Sequence, residues 1–123
     1  MSIHESGENY LEAILTIRKR TGGCRSIDVA RELNFSKPSV SVMMRELREH
    51  GFIEIDASND ISLTEKGFKI ATDISERHDI ISKVLMLLGV PEETAYNDAC
   101  KIEHDLSPVT FEKIKEFYLS HKD

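Results

Sequence analysis

Cysteine is scarce in this chain: Cys24 and Cys100 are the only two among 123 residues. At unrelated positions they make no disulfide framework, so a reducing, cytoplasmic setting is expected. Long apolar runs are missing too. The longest, around Val84 to Val90, is too short to span a membrane. Residues 1–10 are polar, so no signal peptide is expected. No internal repeat, low-complexity tract or flexible linker interrupts the chain. Excess positive charge is also lacking: 16 Lys and Arg face 22 Asp and Glu, a net charge of -6. At first sight that balance argues against a nucleic-acid partner.

With 40% hydrophobic and 31% charged residues the chain is globular rather than disordered. Its length is short for two independent domains but ample for one core plus an appended dimerisation element. The distribution of charge says more than its sum. Residues 1–70 carry 10 basic and 11 acidic side chains, whereas residues 71–123 carry 6 and 11. The N-terminal part is near neutral and the C-terminal part acidic. A nucleic-acid reader that must first bind a cation fits this asymmetry, and so does an ordinary acidic surface.

Helical periodicity predicts a first helix over about Glu5 to Arg20, with Tyr10, Ile14 and Ile17 on one stripe. Arg18-Lys19-Arg20 suit its last turn and Gly22-Gly23 end it. Ser26 is the expected N-cap of a second helix through Leu33, and Asn34-Phe35 the turn that follows. Ser36 caps a third helix to about His50, with Pro38 in its first turn. Beyond Gly51, Phe52 to Ile55 and Ile61 to Leu63 alternate as two half-buried strands around a turn at 56–60. Helix, helix-turn-helix and hairpin in that order predict a winged helix-turn-helix over residues 1–63. Thr64 then caps a long helix to about Leu88, with Ile70, Ile74, Ile81, Leu85 and Leu88 as its seam. A fifth helix follows Pro91, with Ala95, Ala99, Ile102 and Leu106 as its stripe. A sixth opens at Ser107-Pro108 and carries Phe111, Ile114 and Tyr118. The fold class is thus all-α with a small hairpin wing, residues 64–123 forming a helical region.

In the third helix, Val40, Met43, Met44 and Leu47 take 3–4 spacing and should face the core. Lys37, Ser39, Ser41, Val42 and Arg45 are left outside, with Ser36 and Pro38 opening the same surface. Short hydroxyls, a cation and an apolar group are what a recognition helix offers to base edges, phosphates and thymine methyls. Arg25 and Arg48 could reach flanking phosphates. A solvated polar face explains the same pattern, and the wing tip, with Asp56 and Asp60, holds no cation.

Cys100, Glu103 and His104 stand at i, i+3 and i+4, one face of a continuing fifth helix. Thiol, carboxylate and imidazole are three transition-metal ligand types. Asn9 and Glu12 share a face of the first helix, and His78 lies in the long one. Singly, each has an ordinary explanation: surface amide, solvated charge, core histidine, small buried thiol. Together they change the balance, because burying Glu103 and His104 without a partner costs several kcal/mol. A divalent cation removes that penalty.

The segments Glu8-Asn9-Tyr10-Leu11-Glu12-Ala13-Ile14, Ser36-Lys37-Pro38-Ser39-Val40-Ser41, Leu63-Thr64-Glu65-Lys66-Gly67, Arg77-His78 and Ala99-Cys100-Lys101-Ile102-Glu103-His104 resemble the DtxR/MntR family of metal-dependent repressors. The last, placed after Gly89-Val90-Pro91, is the specific one. The resemblance runs over essentially the whole chain. It implies a DNA-binding region, a metal-binding and dimerisation region, and repression of metal-uptake genes when metal is plentiful. The fifth and sixth helices, with the seam of the long one, carry more apolar surface than one small bundle needs, so a two-fold homodimer is expected, and with it an inverted-repeat operator. Glu12, His78, Cys100, Glu103 and His104 match family ligand positions. Manganese-type members carry carboxylates where this chain has Asn9 and Cys100. Iron-type members carry a cysteine at the Cys100 position, a methionine at the Asn9 position and no carboxylate at Glu12. Their accessory site falls here on Ser82 and Tyr96. A metal held by all six candidates would tie the first helix to the long helix and the fifth. A thiolate favours Fe(II), Co(II), Ni(II) or Zn(II) over Mn(II), so Fe(II) is expected first and Mn(II) second. With no HExxH spacing and no nucleophile–base arrangement, no enzyme is expected; a small metal-dependent hydrolase is the rival reading.

Overall fold

Helix α1 (Glu5–Thr21) is apolar on more than one stripe: Tyr10, Leu11, Ala13, Ile14, Leu15 and Ile17 are all buried. A helix buried over most of its girth is a central one. The other elements are α2 (Ser26–Leu33), α3 (Lys37–Glu49), β1 (Ile53–Ile55), β2 (Ile61–Leu63), α4 (Glu65–Leu87), α5 (Glu92–Ile102) and α6 (Pro108–His121). This is a computed structural model that describes residues 5–122. It divides into two compact units, Met1–Thr72 and Asp73–Asp123. The divide falls inside α4, a little beyond the start of the long helix where the sequence pattern changes.

In the first unit the core joins α1 to Val29, Val40, Met44, Leu47, Phe52, Ile53, Ile61 and Ala71. Each large aliphatic or aromatic side chain buried there contributes about 1.5–3 kcal/mol. The helix-turn-helix bend is made by Asn34, whose left-handed backbone (φ 57) closes α2. The expected Ser26 cap is not the cap. Arg25 takes that position, and its backbone N–H donates to Asp28 Oδ2 at 2.9 Å. The acidic residue at the third helical position thus reaches back to the N–H of the residue before the helix, the reciprocal half of a capping box. Ser36 does cap α3, accepting from the Ser39 N–H at 3.3 Å.

The hairpin is antiparallel, with Ile53 opposite Leu63 and Ile55 opposite Ile61. Phe52 precedes β1 rather than joining it; it is buried, and its carbonyl accepts from the Thr64 N–H at 3.1 Å. Asp60 is not a loose charge at the wing tip. Its Oδ1 accepts from the Cys24 N–H at 2.8 Å and its Oδ2 meets Arg18 Nη1 at 2.9 Å. Arg18 also donates to the Ile61 carbonyl at 2.8 Å, and the Ile61 N–H donates to the Cys24 carbonyl at 2.7 Å. So the end of α1 and the 24–25 segment hold the wing by its second strand.

The Cys24 N–H first, and then Arg18, hold the Asp60 carboxyl below its ordinary 3.8. A depressed carboxyl contributes stability above its unfolded pKa, and that contribution is lost as pH falls through the folded value. Stability to denaturant should therefore fall from pH 7 to pH 3, and Asp60→Asn should reduce that loss. Equal pH dependence in both proteins would rule out this anchor as the cause.

In the second unit α4 buries Ile74, Ile80 and Ile81, α5 buries Ala95 and Ala99, and α6 buries Phe111. Leu88, expected in the α4 seam, lies past the helix end and is 70% exposed. Ile102 is exposed, and Leu106 falls beyond α5. No helix among the described residues is long and apolar enough to cross a membrane.

Candidate functional site

Two groups of candidate residues occur, one in each unit. In the first, α3 turns Val40, Met44 and Leu47 inward, with Met43 half-buried, and leaves Lys37, Pro38, Ser39, Ser41, Val42 and Arg45 exposed. Arg25, Ser36 and Arg48 are exposed as well. Ser36 is also occupied as the cap, its hydroxyl 2.9 Å from that of Ser39. The starts of α2 and α3 enclose a notch of ≈ 300 Å³ lined by Ser26, Ile27, Lys37, Val40 and Ser41. Its apolar floor and hydroxyl-and-cation rim suit a backbone phosphate beside a base methyl. Asn9 and Glu12 are half-buried residues of α1, one turn apart.

The second group is in the other unit. Glu103 is 1% exposed, the one charged residue among the fully buried side chains of the described residues. Its Oε2 lies 2.9 Å from His78 Nδ1, and its Oε1 lies 3.4 Å from His104 Nε2. Cys100 Sγ is 3.7 Å from the same His78 Nδ1. The expectation of one helical face needs correction. α5 ends at Ile102, Glu103 is its C-cap, and His104 lies in the turn beyond. The spacing still gathers the three residues, because the Glu103 N–H donates to the Ala99 carbonyl at 3.0 Å and continues the helical path by one residue. Among the described residues no group of three or more His, Cys, Asp or Glu is arranged around a metal-sized centre. His78, Glu103, His104 and Cys100 instead lie at these short distances from one another.

The chemistry of this set fits a divalent transition metal. Two imidazoles are borderline ligands, a thiol when deprotonated a soft one and a carboxylate a hard one, a mixture that divalent transition metals accept. A carboxylate withdrawn from water needs a cation or several donors to offset its desolvation. Tyr96 stands edge-on to His78 with ring centroids 4.4 Å apart, yet is 57% exposed. The hydroxyl oxygen of Ser82, the other accessory position, is buried without a hydrogen-bond partner.

Comparison with known proteins matches the chain to two family models. Residues 2–59 match the model described as "Iron dependent repressor, N-terminal DNA binding domain". Residues 64–122 match "Iron dependent repressor, metal binding and dimerisation domain". The chain belongs to the DtxR/MntR family of metal-dependent transcriptional repressors. It is 34% identical to the transcriptional regulator MntR of Escherichia coli O6:H1 over 114 residues, 93% of this chain and 74% of that protein. An uncharacterised HTH-type regulator of Methanocaldococcus jannaschii is 36% identical over 121 residues, 97% of each chain. Among solved structures, the manganese regulator SloR superposes with a TM-score of 0.82 at 26% identity. The match covers 97% of this chain and 55% of SloR, so the chain spans about half of that structure's length. All nine DNA-reading candidates of this family member fall within the segment matching the DNA-binding model. His78, Cys100, Glu103 and His104 fall within the metal-binding one.

Sequence reasoning missed two residues that shape these groups. Arg18 was read as a helix-end charge and Arg77 only as part of a motif; their partners are 26 to 43 residues away. No local signal marks such pairs.

The two cysteines differ in chemistry. Burial first, and then the Asp28 and Asp60 charges, push the Cys24 thiol up to about 12. It has almost no thiolate at pH 8 and is 2% exposed, so it is inert. Iodoacetamide on the native protein at pH 8 should label Cys100 alone, and both cysteines in urea. Peptide mapping that finds native labelling at Cys24 would contradict this.

Proposed function

We propose that the chain is a metal-responsive repressor that binds an inverted-repeat operator as a homodimer when loaded with a divalent transition metal, and so turns down metal-uptake genes. The observation that carries the reading is the Glu103 carboxylate, 1% exposed and placed between His78 and His104. His78, Cys100, Glu103 and His104 would hold the metal, with Asn9 and Glu12 as the ligands the resemblance adds. When bound, the metal supplies a local positive charge that stabilises the buried carboxylate. Lys37, Ser39, Ser41, Val42 and Arg45 would read the major groove, with Arg25 and Arg48 on phosphates. The exposed apolar side chains of the second unit, among them Leu88 at 70% and Val109 at 71%, support a two-fold interface, since large exposed apolar area marks protein contacts.

Fe(II) is the preferred metal in this reading. A thiolate at Cys100 and a neutral amide at Asn9 make the set softer and less negative than an all-carboxylate one. Mn(II) is the second reading, favoured by the likeness to the manganese regulator SloR. Operator affinity measured with Mn(II), Fe(II), Co(II), Ni(II), Zn(II) and EDTA tests both. Metal should raise affinity, Fe(II) more than Mn(II), and Cys100→Glu should move the preference toward Mn(II). Lys37→Ala should lower the salt slope by about one if Lys37 meets a phosphate. Equal DNA binding in EDTA would sink the metal-responsive reading, and an unchanged metal preference in Cys100→Glu would sink the thiolate's part.

A further inference from the structure

We propose that Arg77 is a positioning residue that sets the geometry of the turn carrying Glu103 and His104; this role rests on the metal reading above. The need for it follows from where α5 stops. Glu103 and His104 lie at and beyond the helix end, so the direction of both side chains depends on the turn's backbone. Carbonyls at a helix C-terminus lack intrahelical donors. Arg77 Nη1 donates to two carbonyls here, that of Glu103 at 3.1 Å and that of Leu106 at 2.7 Å. The two acceptors bracket the turn.

The guanidinium is itself held, 5.3 Å over the buried Phe111 ring of α6. A planar cation suits both tasks: it stacks on an aromatic face while its N–H groups spread to separate acceptors. Its charge also complements the negative end of α5. The next residue along α4, His78, meets the Glu103 side chain at 2.9 Å. Adjacent residues of one helix thus grip the same residue twice, Arg77 by its backbone and His78 by its carboxylate. Groups that orient metal ligands from behind change metal affinity about 10- to 100-fold when removed. Arg77 acts on main-chain oxygens rather than on a ligand atom, so its effect passes through the placement of Glu103 and His104.

The experiment titrates the full chain with Co(II), following absorbance and binding heat, in wild type, Arg77→Met, Arg77→Lys and Lys115→Met. Lys115 pairs with Glu76 in the same unit at 3.3 Å. Arg77→Met should bind Co(II) about tenfold more weakly. Its visible bands at saturation should differ in position or intensity from wild type, and amide exchange at residues 103–107 should quicken in the metal-free protein. Arg77→Lys, which keeps the charge but not the planar fork, should recover part of the affinity. Lys115→Met should match wild type. A purely structural role would lower stability yet leave the saturated spectrum unchanged, and that result overturns the proposal. Wild-type affinity and spectrum in Arg77→Met also overturn it; should that variant fail to fold, the same result in Arg77→Lys does so. A wild-type chain that binds no Co(II) overturns the metal reading itself, and this role with it.

Discussion

Replacing Glu103 by Gln is expected to abolish the rise in melting temperature that divalent metal produces, while the metal-free protein melts close to wild type. Glu103 is 1% exposed and places one carboxylate oxygen toward His78 and the other toward His104. The amide preserves shape and can still meet one imidazole, but it brings no charge and is a poor metal ligand. Metal at about 100 times its Kd stabilises a folded protein by about 2.7 kcal/mol. For a chain of 123 residues that is a shift of about 10 °C. Glu103→Gln and His104→Ala should each lose most of it, and metal-dependent operator binding should go with it. Thermal melts with Co(II) or Mn(II) against EDTA measure the effect directly. If both variants keep the full metal-induced shift, Glu103 and His104 are not ligands and the site must lie elsewhere.

Gly67→Ala is expected to destabilise the first unit by about 3 kcal/mol, at the upper end of the usual cost of inserting a methyl into a filled site. Gly67 is buried in the first turn of α4, and a Cβ there would fall on the Phe52 carbonyl oxygen. That carbonyl cannot easily retreat, since it accepts from the Thr64 N–H at 3.1 Å. Nor can the helix start move freely: the Gly67 N–H donates to Thr64 Oγ1, which itself donates to the Gly51 carbonyl at 2.7 Å. Backbone meets backbone, so no side-chain rotation relieves the clash. Gly51, by contrast, has open space around its Cβ position and needs glycine only for its φ of +79. Gly51→Ala should therefore cost less, about 1 kcal/mol. Urea unfolding of both variants checks the order, and a Gly67→Ala protein as stable as wild type would mean the α4 start does not press on Phe52.

Gly67 shows how far local reading goes. Its place in Leu63-Thr64-Glu65-Lys66-Gly67 was visible as a motif, but the reason for a glycine was not, because Phe52 lies 15 positions away. Arg18 and Asp60 show the same limit. One looked like a favourable charge at a helix end and the other like one acid of a wing tip without a cation, until the fold paired them at 2.9 Å. The wing's lack of a cation still stands, but Asp60 is engaged with Arg18 and the Cys24 N–H.

The order of six helices and one hairpin, the α3 surface and the candidate ligand types were all determined by the sequence itself. The 3.6- and 2-residue periods, the cap at Ser36 and the stops at Gly51 and Pro91 are properties of neighbouring residues, which act before any tertiary contact forms. Tertiary structure alone decided that α5 ends at Ile102 and that Glu103 is the buried charge among the described residues. Periodicity can place Cys100, Glu103 and His104 on one side of a path. It cannot say which carboxylate loses its water, because desolvation is imposed by chain that returns from 22 to 29 residues away and carries no local pattern.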